Sequence, residues 1–347
     1  MLVSERRVRQ EKEQTLSLCP PITEKTTMNI NISGRCNQQC IYCLYHHIGA
    51  HKKGCLIDDD LFYRVTREAY ELGVREIGLY TSGEPLLHPG VYKYIAYLKK
   101  LGFTYVYLST NGLLCTPERL EKLVEAGIDS IKFSISAASE ESFLKHHGTT
   151  GFQKVLDNMR YAWEYRKRSG KDYKLFVFSI ITNLNRHEVD TMKKLFTPYC
   201  DELVMQQAVN MLSFFCGHEG LYAEGKSADL HVPGSILPCS MLFNRIVVTS
   251  TGFLSICCYT DLDFTAIADL RECSLHDAFY SEEYQALREK HLTGRVENTI
   301  CNRCVYGVME SMEPVTSQLG FASGRLDPMD ISGQIAEIAK NRPRNDR

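Results

Sequence analysis

No stretch of this chain approaches the roughly 18 consecutive apolar residues that a membrane-spanning helix needs. Its longest apolar runs, such as residues 175–181, have the length of a strand. An excess of one charge is also missing: 40 Lys and Arg stand against 42 Asp and Glu, a net charge of −2. That balance argues against a generally basic nucleic-acid binder. The first residues, Met1-Leu2-Val3-Ser4-Glu5-Arg6-Arg7-Val8, lack the apolar segment of a secretion signal, and secretion is the setting in which a disulfide framework persists. No short internal repeat is present. With membrane, nucleic acid and secretion set aside, the expectation is a cytoplasmic protein. At 347 residues it is long enough for a major domain and an appendage.

Cysteine is what the chain has in plenty, with 14, and in a reducing compartment these read as metal ligands and free thiols. Cys36, Cys40 and Cys43 stand at C-x3-C-x2-C spacing directly after the alternating run Met28-Asn29-Ile30-Asn31-Ile32. This places them in a loop at the C-terminal end of a strand, where α/β sheets and barrels carry their chemistry. Three thiolates on one loop suit a soft metal centre, either an iron–sulfur cluster, Zn or Cu(I). A zinc site would take His46 or His47 as fourth ligand, whereas a 4Fe-4S cube would keep one iron free of protein ligands.

Strand-like runs at 28–33, 76–80, 105–109, 130–135, 175–181 and 202–206 alternate with helix-patterned segments at 58–72, 91–101, 117–126, 152–168 and 188–198. Gly73 and Gly102 follow two of these as C-caps, while Asp58 and Thr116-Pro117 fit helix starts. Such alternation predicts parallel βαβ units with right-handed crossovers, too few for a closed eight-fold barrel. The expected divisions are an arm over 1–26, a barrel over 27–210, a linker or active-site loop over 211–235, a small domain over 236–312 and a tail over 313–347.

The tetrapeptide Ser82-Gly83-Glu84-Pro85 follows the second strand, on the same rim as the cysteines. Its glycine permits close backbone approach, and the Glu84 carboxylate can accept hydrogen bonds from an ammonium group. Asn111, ending the third strand, and Ser134 and Ser136, ending the fourth, add small polar groups to that rim. A second cysteine set comprises Cys239, Cys257 placed Gly-x4-Cys after Gly252, and the pair Cys301-x2-Cys304. A hairpin around Ser250-Thr251-Gly252 and a C-x2-C knuckle would make a closed four-thiolate site, for which a structural zinc is a competing reading.

The C-x3-C-x2-C motif with Tyr42 before its last cysteine resembles the signature of the radical S-adenosylmethionine (SAM) enzymes. The resemblance implies a partial (β/α)6 barrel and a 4Fe-4S cluster on Cys36, Cys40 and Cys43 whose open iron chelates SAM. It also implies reductive cleavage of SAM to a 5′-deoxyadenosyl radical and a flavodoxin- or ferredoxin-type electron donor. Ser82, Gly83 and Glu84 match the family's Gly-Gly-Glu-Pro, which holds the SAM amino group, with Ser82 in place of the first glycine. Asn111, Ser134 and Ser136 match positions that contact the SAM ribose and carboxylate. One departure is His146-His147-Gly148, where relatives often carry an Arg-Gly that reaches the SAM carboxylate. A neutral histidine lacks that charged fork, so the carboxylate clamp stays open.

Residues 238–304 resemble a shortened SPASM domain of the twitch kind, a small β-hairpin-plus-helix unit. They imply one auxiliary 4Fe-4S cluster on Cys239, Cys257, Cys301 and Cys304. Cys258, next along a strand from Cys257, would point to the opposite face. The activity expected is that of a radical SAM oxidoreductase. It would take a hydrogen atom from a small polar substrate, a sugar, aminocyclitol or nucleotide-sugar, and the auxiliary cluster would accept an electron. The short segment before the first strand leaves no room for a peptide-recognition domain, which makes maturation of a ribosomal peptide the second expectation. A non-catalytic iron–sulfur or zinc protein is the third.

Overall fold

The computed structural model describes residues 15–43, 55–208, 237–257, 265–306 and 315–316. Its strands are β1 (Thr27–Ile30), β2 (Glu76–Gly78), β3 (Tyr105–Thr110), β4 (Ser130–Ser134), β5 (Lys174–Ile181), β6 (Glu202–Gln207), β7 (Arg245–Val248), β8 (Phe253–Ser255) and β9 (Ala266–Asp269). All lie in one sheet, in the order β6-β5-β4-β3-β2-β1-β7-β8-β9. Strands β1 to β6 are parallel neighbours in chain order. Helices α1 (Asp59–Glu71), α2 (Val91–Leu101), α3 (Pro117–Glu125), α4 (Glu140–His147), α5 (Phe152–Ser169) and α6 (Val189–Phe196) provide the crossovers. Among the described residues the sheet has β6 and β9 at its two edges and does not close, which gives the expected partial barrel.

The caps read from the sequence operate locally. The Asp58 carboxylate accepts from Leu61 N–H at 2.9 Å, and Gly102 ends α2 at φ +114°, a conformation in which other residues are strained. Helix α4 was not expected. It begins with a capping box made of two serines: Ser139 Oγ accepts from Ser142 N–H and Ser142 Oγ from Ser139 N–H, both at 3.2 Å. A Glu or Gln at the third position is the usual signal for this motif, and a serine there is easily passed over.

The period-two alternation of the strands sorts their side chains. Ile77, Val106, Leu108, Ile131, Phe133, Leu175 and Val177 are buried in the same core as Phe62, Val65, Leu98, Leu123, Val155 and Met159 of the helices. Each such side chain contributes about 1.5–3 kcal/mol by leaving water. The opposite face carries Tyr107, with Tyr80 at 5.8 Å and Tyr105 at 5.7 Å between ring centroids. Lys132 Nζ lies 4.6 Å from the Tyr80 ring centre and 5.1 Å from that of Phe178.

The C-terminal hairpin is not a separate layer. Strand β7 pairs in parallel with β1, Met28 opposite Ile246 and Ile30 opposite Val248, so the barrel sheet continues into the antiparallel β7-β8-β9. Helices α7 (Met241–Asn244), α8 (Leu275–Phe279), α9 (Glu282–Thr293) and α10 (Ile300–Tyr306) complete this part. The segment 274–291, which reads as one helix by pattern, is divided between α8 and α9. Ser281 starts a new helix there, its hydroxyl accepting from Tyr284 N–H at 3.3 Å. Helix α1 clasps this part: Glu68 takes Arg64 on Oε1 and Leu275 N–H on Oε2 at 2.7 Å, while Arg64 donates to Leu270 O. The chain before β1 lies on it as a strap. Buried Arg288 donates to Leu18 O at 3.0 Å and Tyr280 Oη to Pro20 O at 3.1 Å.

Candidate metal centre

Every rim residue expected from the sequence lies where a parallel strand ends. The loop after β1, carrying Cys36, Cys40 and Cys43, is tied to the turns after β2, β3 and β4. Glu84 N–H donates to Arg35 O at 2.7 Å, and Asn111 Nδ2 donates to Asn37 Oδ1 at 2.7 Å. The end of α4 receives Gln39 N–H on His147 O at 2.9 Å and Ile41 N–H on His146 O at 3.0 Å. Tyr42 Oη donates to Ser136 Oγ at 3.0 Å. The loop is thus held by backbone and side-chain bonds on both flanks of its cysteines.

Two glycines are required by that contact. Gly83 has φ +77°, and a Cβ there would lie 2.1 Å from Ser33 O and 2.7 Å from Arg35 O. A Cβ on Gly148, at φ +64°, would lie 2.8 Å from Gln39 O. What Gly83 approaches so closely is the cysteine loop itself. Ser82, just before it, is half-buried.

Glu84 is buried, and its carboxylate is already engaged. Oε1 accepts from Leu86 N–H at 3.1 Å and from Thr110 Oγ1 at 2.7 Å, and Oε2 accepts from Asn111 N–H at 2.8 Å. Burial raises its pKa to about 7 against the pull of these donors and of Arg119. A carboxylate offers about four acceptor directions, so Oε2 keeps one for an ammonium. Asn111 accepts from Leu113 N–H at 3.1 Å, donates to Asn37, and bonds Cys36 through its side chain. Ser136 is wholly buried, its hydroxyl taking Tyr42 Oη and Ile180 N–H at 2.9 Å. These two residues brace the cysteine loop in the structure. Ser134 is half-buried at the end of β4.

Two of the three thiols, Cys36 and Cys40, resist ionisation as they stand. Surrounding protein, with Glu84 and Cys43 nearby, pushes Cys36 up to about 12 even though solvent reaches its side chain. Burial, then Cys43 and Cys36, raises Cys40 as well. Three mutually repelling thiolates on one loop become favourable only around a multivalent cationic centre, and sulfur donors of this kind fit an iron–sulfur cluster. Among the described residues no three Cys, His, Asp or Glu converge closely enough for a single metal ion. Sulfurs around one zinc, each about 2.3 Å from it, would have to lie roughly 4 Å apart. His46, His47 and Cys258 lie outside the described residues, as do the whole expected linker over 211–235 and the expected tail apart from residues 315–316.

His147 has a place that the sequence did not disclose. Its ring is buried beneath the loop, with Nδ1 3.3 Å from Cys40 Sγ and Nε2 3.1 Å from Ser136 N–H. Burial lowers its pKa to about 3. Its ring faces Cys40 of the cysteine loop. Lys132 was also missed. Its signal was present in β4, where Ser130, Lys132 and Ser134 interleave with Ile131 and Phe133, a period-two pattern that sets the lysine on one face with the serines.

At the second set, Cys301 on α10 is pushed up to about 12 by burial, Cys239 and Cys304. The Tyr284 hydroxyl, buried on α9, is raised by its burial and by Cys239 and Cys257. Cys239 thus acts electrostatically on both Cys301 and the Tyr284 hydroxyl. Its N–H donates to His291 Nδ1 at 3.2 Å.

Two family models match the chain: the radical SAM superfamily over residues 30–196 and an iron–sulfur cluster-binding domain, SPASM, over residues 227–305. A protein of Methanosarcina acetivorans named "Probable GTP 3',8-cyclase" is 28% identical over 204 residues, which are 57% of this chain and 58% of that protein. The chain thus spans less than two thirds of the length of the curated relatives it matches. Among solved structures, Streptococcus suis SuiB bound to its precursor peptide SuiA superposes with a TM-score of 0.62 at 14% identity, covering 90% of this chain and 75% of that one. BtrN in complex with AdoMet and 2-DOIA gives a TM-score of 0.52 at 16% identity, covering 81% and 92%. At these identities the likeness is one of fold.

Proposed function

Since this chain belongs to the radical SAM superfamily and carries a SPASM iron–sulfur domain, we propose that it is an oxidoreductase acting on a small polar molecule, a sugar, aminocyclitol or nucleotide-sugar. Cys36, Cys40 and Cys43 hold its SAM-binding 4Fe-4S cluster; Cys239, Cys257, Cys301 and Cys304 hold the auxiliary one. The bound cluster and SAM supply a 5′-deoxyadenosyl radical at the open rim. Glu84 accepts from the SAM ammonium with its remaining direction on Oε2.

The observation that carries the substrate reading is the polar inner face of the half-barrel, where Tyr105 and Tyr107 of β3, Lys132 of β4 and Tyr80 just beyond β2 stand together. A face of hydroxyls and one ammonium suits a hydroxylated substrate better than an apolar one, and it packs aromatic rings against sugar or base surfaces. The substrate carbon next to oxygen gives up a hydrogen atom, forming 5′-deoxyadenosine. Loss of a proton to solvent and of an electron, for which the auxiliary cluster would be the acceptor, would then turn that carbon into a carbonyl. Similarity to a probable GTP 3',8-cyclase supports a nucleotide-sized ligand, and similarity to SuiB with its bound precursor peptide supports a peptide.

The test is anaerobic turnover with SAM and dithionite over a panel of deuterated sugars, aminocyclitols and nucleotide-sugars. Deuterium arriving in 5′-deoxyadenosine from one of them is the expected result. Transfer only from a peptide would replace this reading with peptide maturation.

A further inference from the structure

The contact between His147 and Cys40 has a direction. Ser136 N–H, being a backbone group, can only donate, and it points at Nε2 from 3.1 Å. That nitrogen must carry a lone pair. The ring proton therefore sits on Nδ1, the nitrogen 3.3 Å from Cys40 Sγ, and the neutral imidazole donates to sulfur. The ring cannot turn away easily. His147 is 1% exposed and lies against Phe143 with 4.5 Å between centroids, and its own carbonyl is fastened to Gln39 N–H. A thiol at Cys40 has an acceptor in Gln38 Oε1 at 3.5 Å, whereas a thiolate has its donor in His147.

We propose that His147 is a positioning residue of the first cluster, its Nδ1–H donating to the Cys40 thiolate and raising the cluster's reduction potential. The proposal rests on the assignment of Cys36, Cys40 and Cys43 to that cluster. One electron enters the couple and no proton moves, because Nδ1–H stays on the ring. The reduced cluster carries one more negative charge than the oxidised one, so a donor on its sulfur stabilises the reduced form more. Its presence makes the electron easier to deliver from a flavodoxin- or ferredoxin-type donor.

The experiment uses the full chain, reconstituted anaerobically, with the potential of the first cluster read by electron paramagnetic resonance under poised reduction. The first cluster is the signal that changes when SAM is added. His147→Gln places an amide near Nε2, keeping an acceptor for Ser136 N–H and removing the donor to sulfur. His147→Asn places an amide near Nδ1 and restores that donor. The Gln variant should shift the reduction equilibrium about tenfold toward the oxidised form, about 59 mV for a one-electron couple, and the Asn variant should recover most of it. An unchanged potential in His147→Gln, or equal shifts in both variants, would overturn the proposal.

Neither result depends on the variants alone. In unmutated protein labelled with 15N-histidine, pulsed resonance on the SAM-responsive signal should show coupling to one histidine nitrogen, and its absence also refutes the hydrogen bond. Cys40→Ala separates the two layers of argument. Persistence of the SAM-responsive signal there would defeat the ligand assignment and the proposal together. Its loss, combined with an unmoved His147→Gln potential, defeats only the role of His147.

Discussion

A Cβ on Gly83 would sit 2.1 Å from the carbonyl oxygen of Ser33, so the turn after β2 and the cysteine loop after β1 meet backbone to backbone. Gly83→Ala adds this collision to the cost of a left-handed conformation, about 1–2 kcal/mol for a residue with a side chain. The loop bearing Cys36 and Cys40 must move. Iron analysis of the anaerobically reconstituted variant should fall from about eight per chain toward about four, the second cluster being unaffected. A full complement of iron with normal SAM binding would show that the loop has more freedom than this packing allows.

Glu84 has two tasks that one substitution can separate. Its carboxylate satisfies Leu86 N–H, Thr110 Oγ1 and Asn111 N–H, and its free direction is assigned to the SAM ammonium. Glu84→Ala orphans buried donors at about 1–3 kcal/mol each, and loss of a bond to a charged group costs about 1.5–3 kcal/mol in binding. Calorimetry should record SAM affinity about ten- to a hundred-fold weaker, together with a lower melting temperature. Glu84→Gln should recover part of the melting temperature and little of the affinity. Equal recovery of both would assign Glu84 to structure alone.

His146 contributes a pH dependence. It is buried between Ser142 O at 2.8 Å and Thr182 Oγ1 at 2.9 Å, and burial lowers its pKa below the ordinary 6.5. The unfolded chain then binds a proton that the folded chain refuses. The contribution to stability is complete above about pH 6.5 and is lost as pH falls toward the depressed folded value, with a slope of up to about 1.4 kcal/mol per pH unit. Urea midpoints of the metal-free protein at pH 7.5 and pH 5 should differ less in His146→Gln than in the parent. Identical pH slopes would rule out this titration.

The sequence was most informative where a single physical rule acts alone. Alternation at 105–109 and 130–135 located β3 and β4, and Asp58, Gly102 and Thr116-Pro117 marked helix ends, because caps and periods are local. The spacing of Cys36, Cys40 and Cys43 predicted their common loop. What it left obscure depends on distant partners. Gly83 reads as a ligand contact until Ser33 is seen across from it, and nothing local tells that the His147 ring lies under Cys40, held by Ser136 N–H. The pairing of β7 with β1 joins residues more than 200 apart in sequence, and no local pattern announces it.

The second cysteine set carries the last prediction, because its proposed ligands come from three separate pieces of chain. Cys239 precedes α7, Cys257 follows β8, and Cys301 and Cys304 lie on α10. Those pieces are held to the barrel by the Glu68 and Arg64 clasp and by β7 on β1, so the site should assemble without help from the first cluster. Cys36→Ala combined with Cys40→Ala and Cys43→Ala should leave about four irons per chain and one reducible resonance signal, and 5′-deoxyadenosine formation should cease. Adding Cys301→Ala and Cys304→Ala should remove the remaining iron. Burial and neighbouring Cys239 and Cys304 push the Cys301 thiol up to about 12, so its ionisation would depend on the cationic core proposed for it, and loss of that core would return a neutral thiol. Iron that stays after all five substitutions would place the auxiliary cluster on other ligands. Stoichiometric zinc with only four irons in the intact chain would remove the electron acceptor on which the proposed oxidation depends.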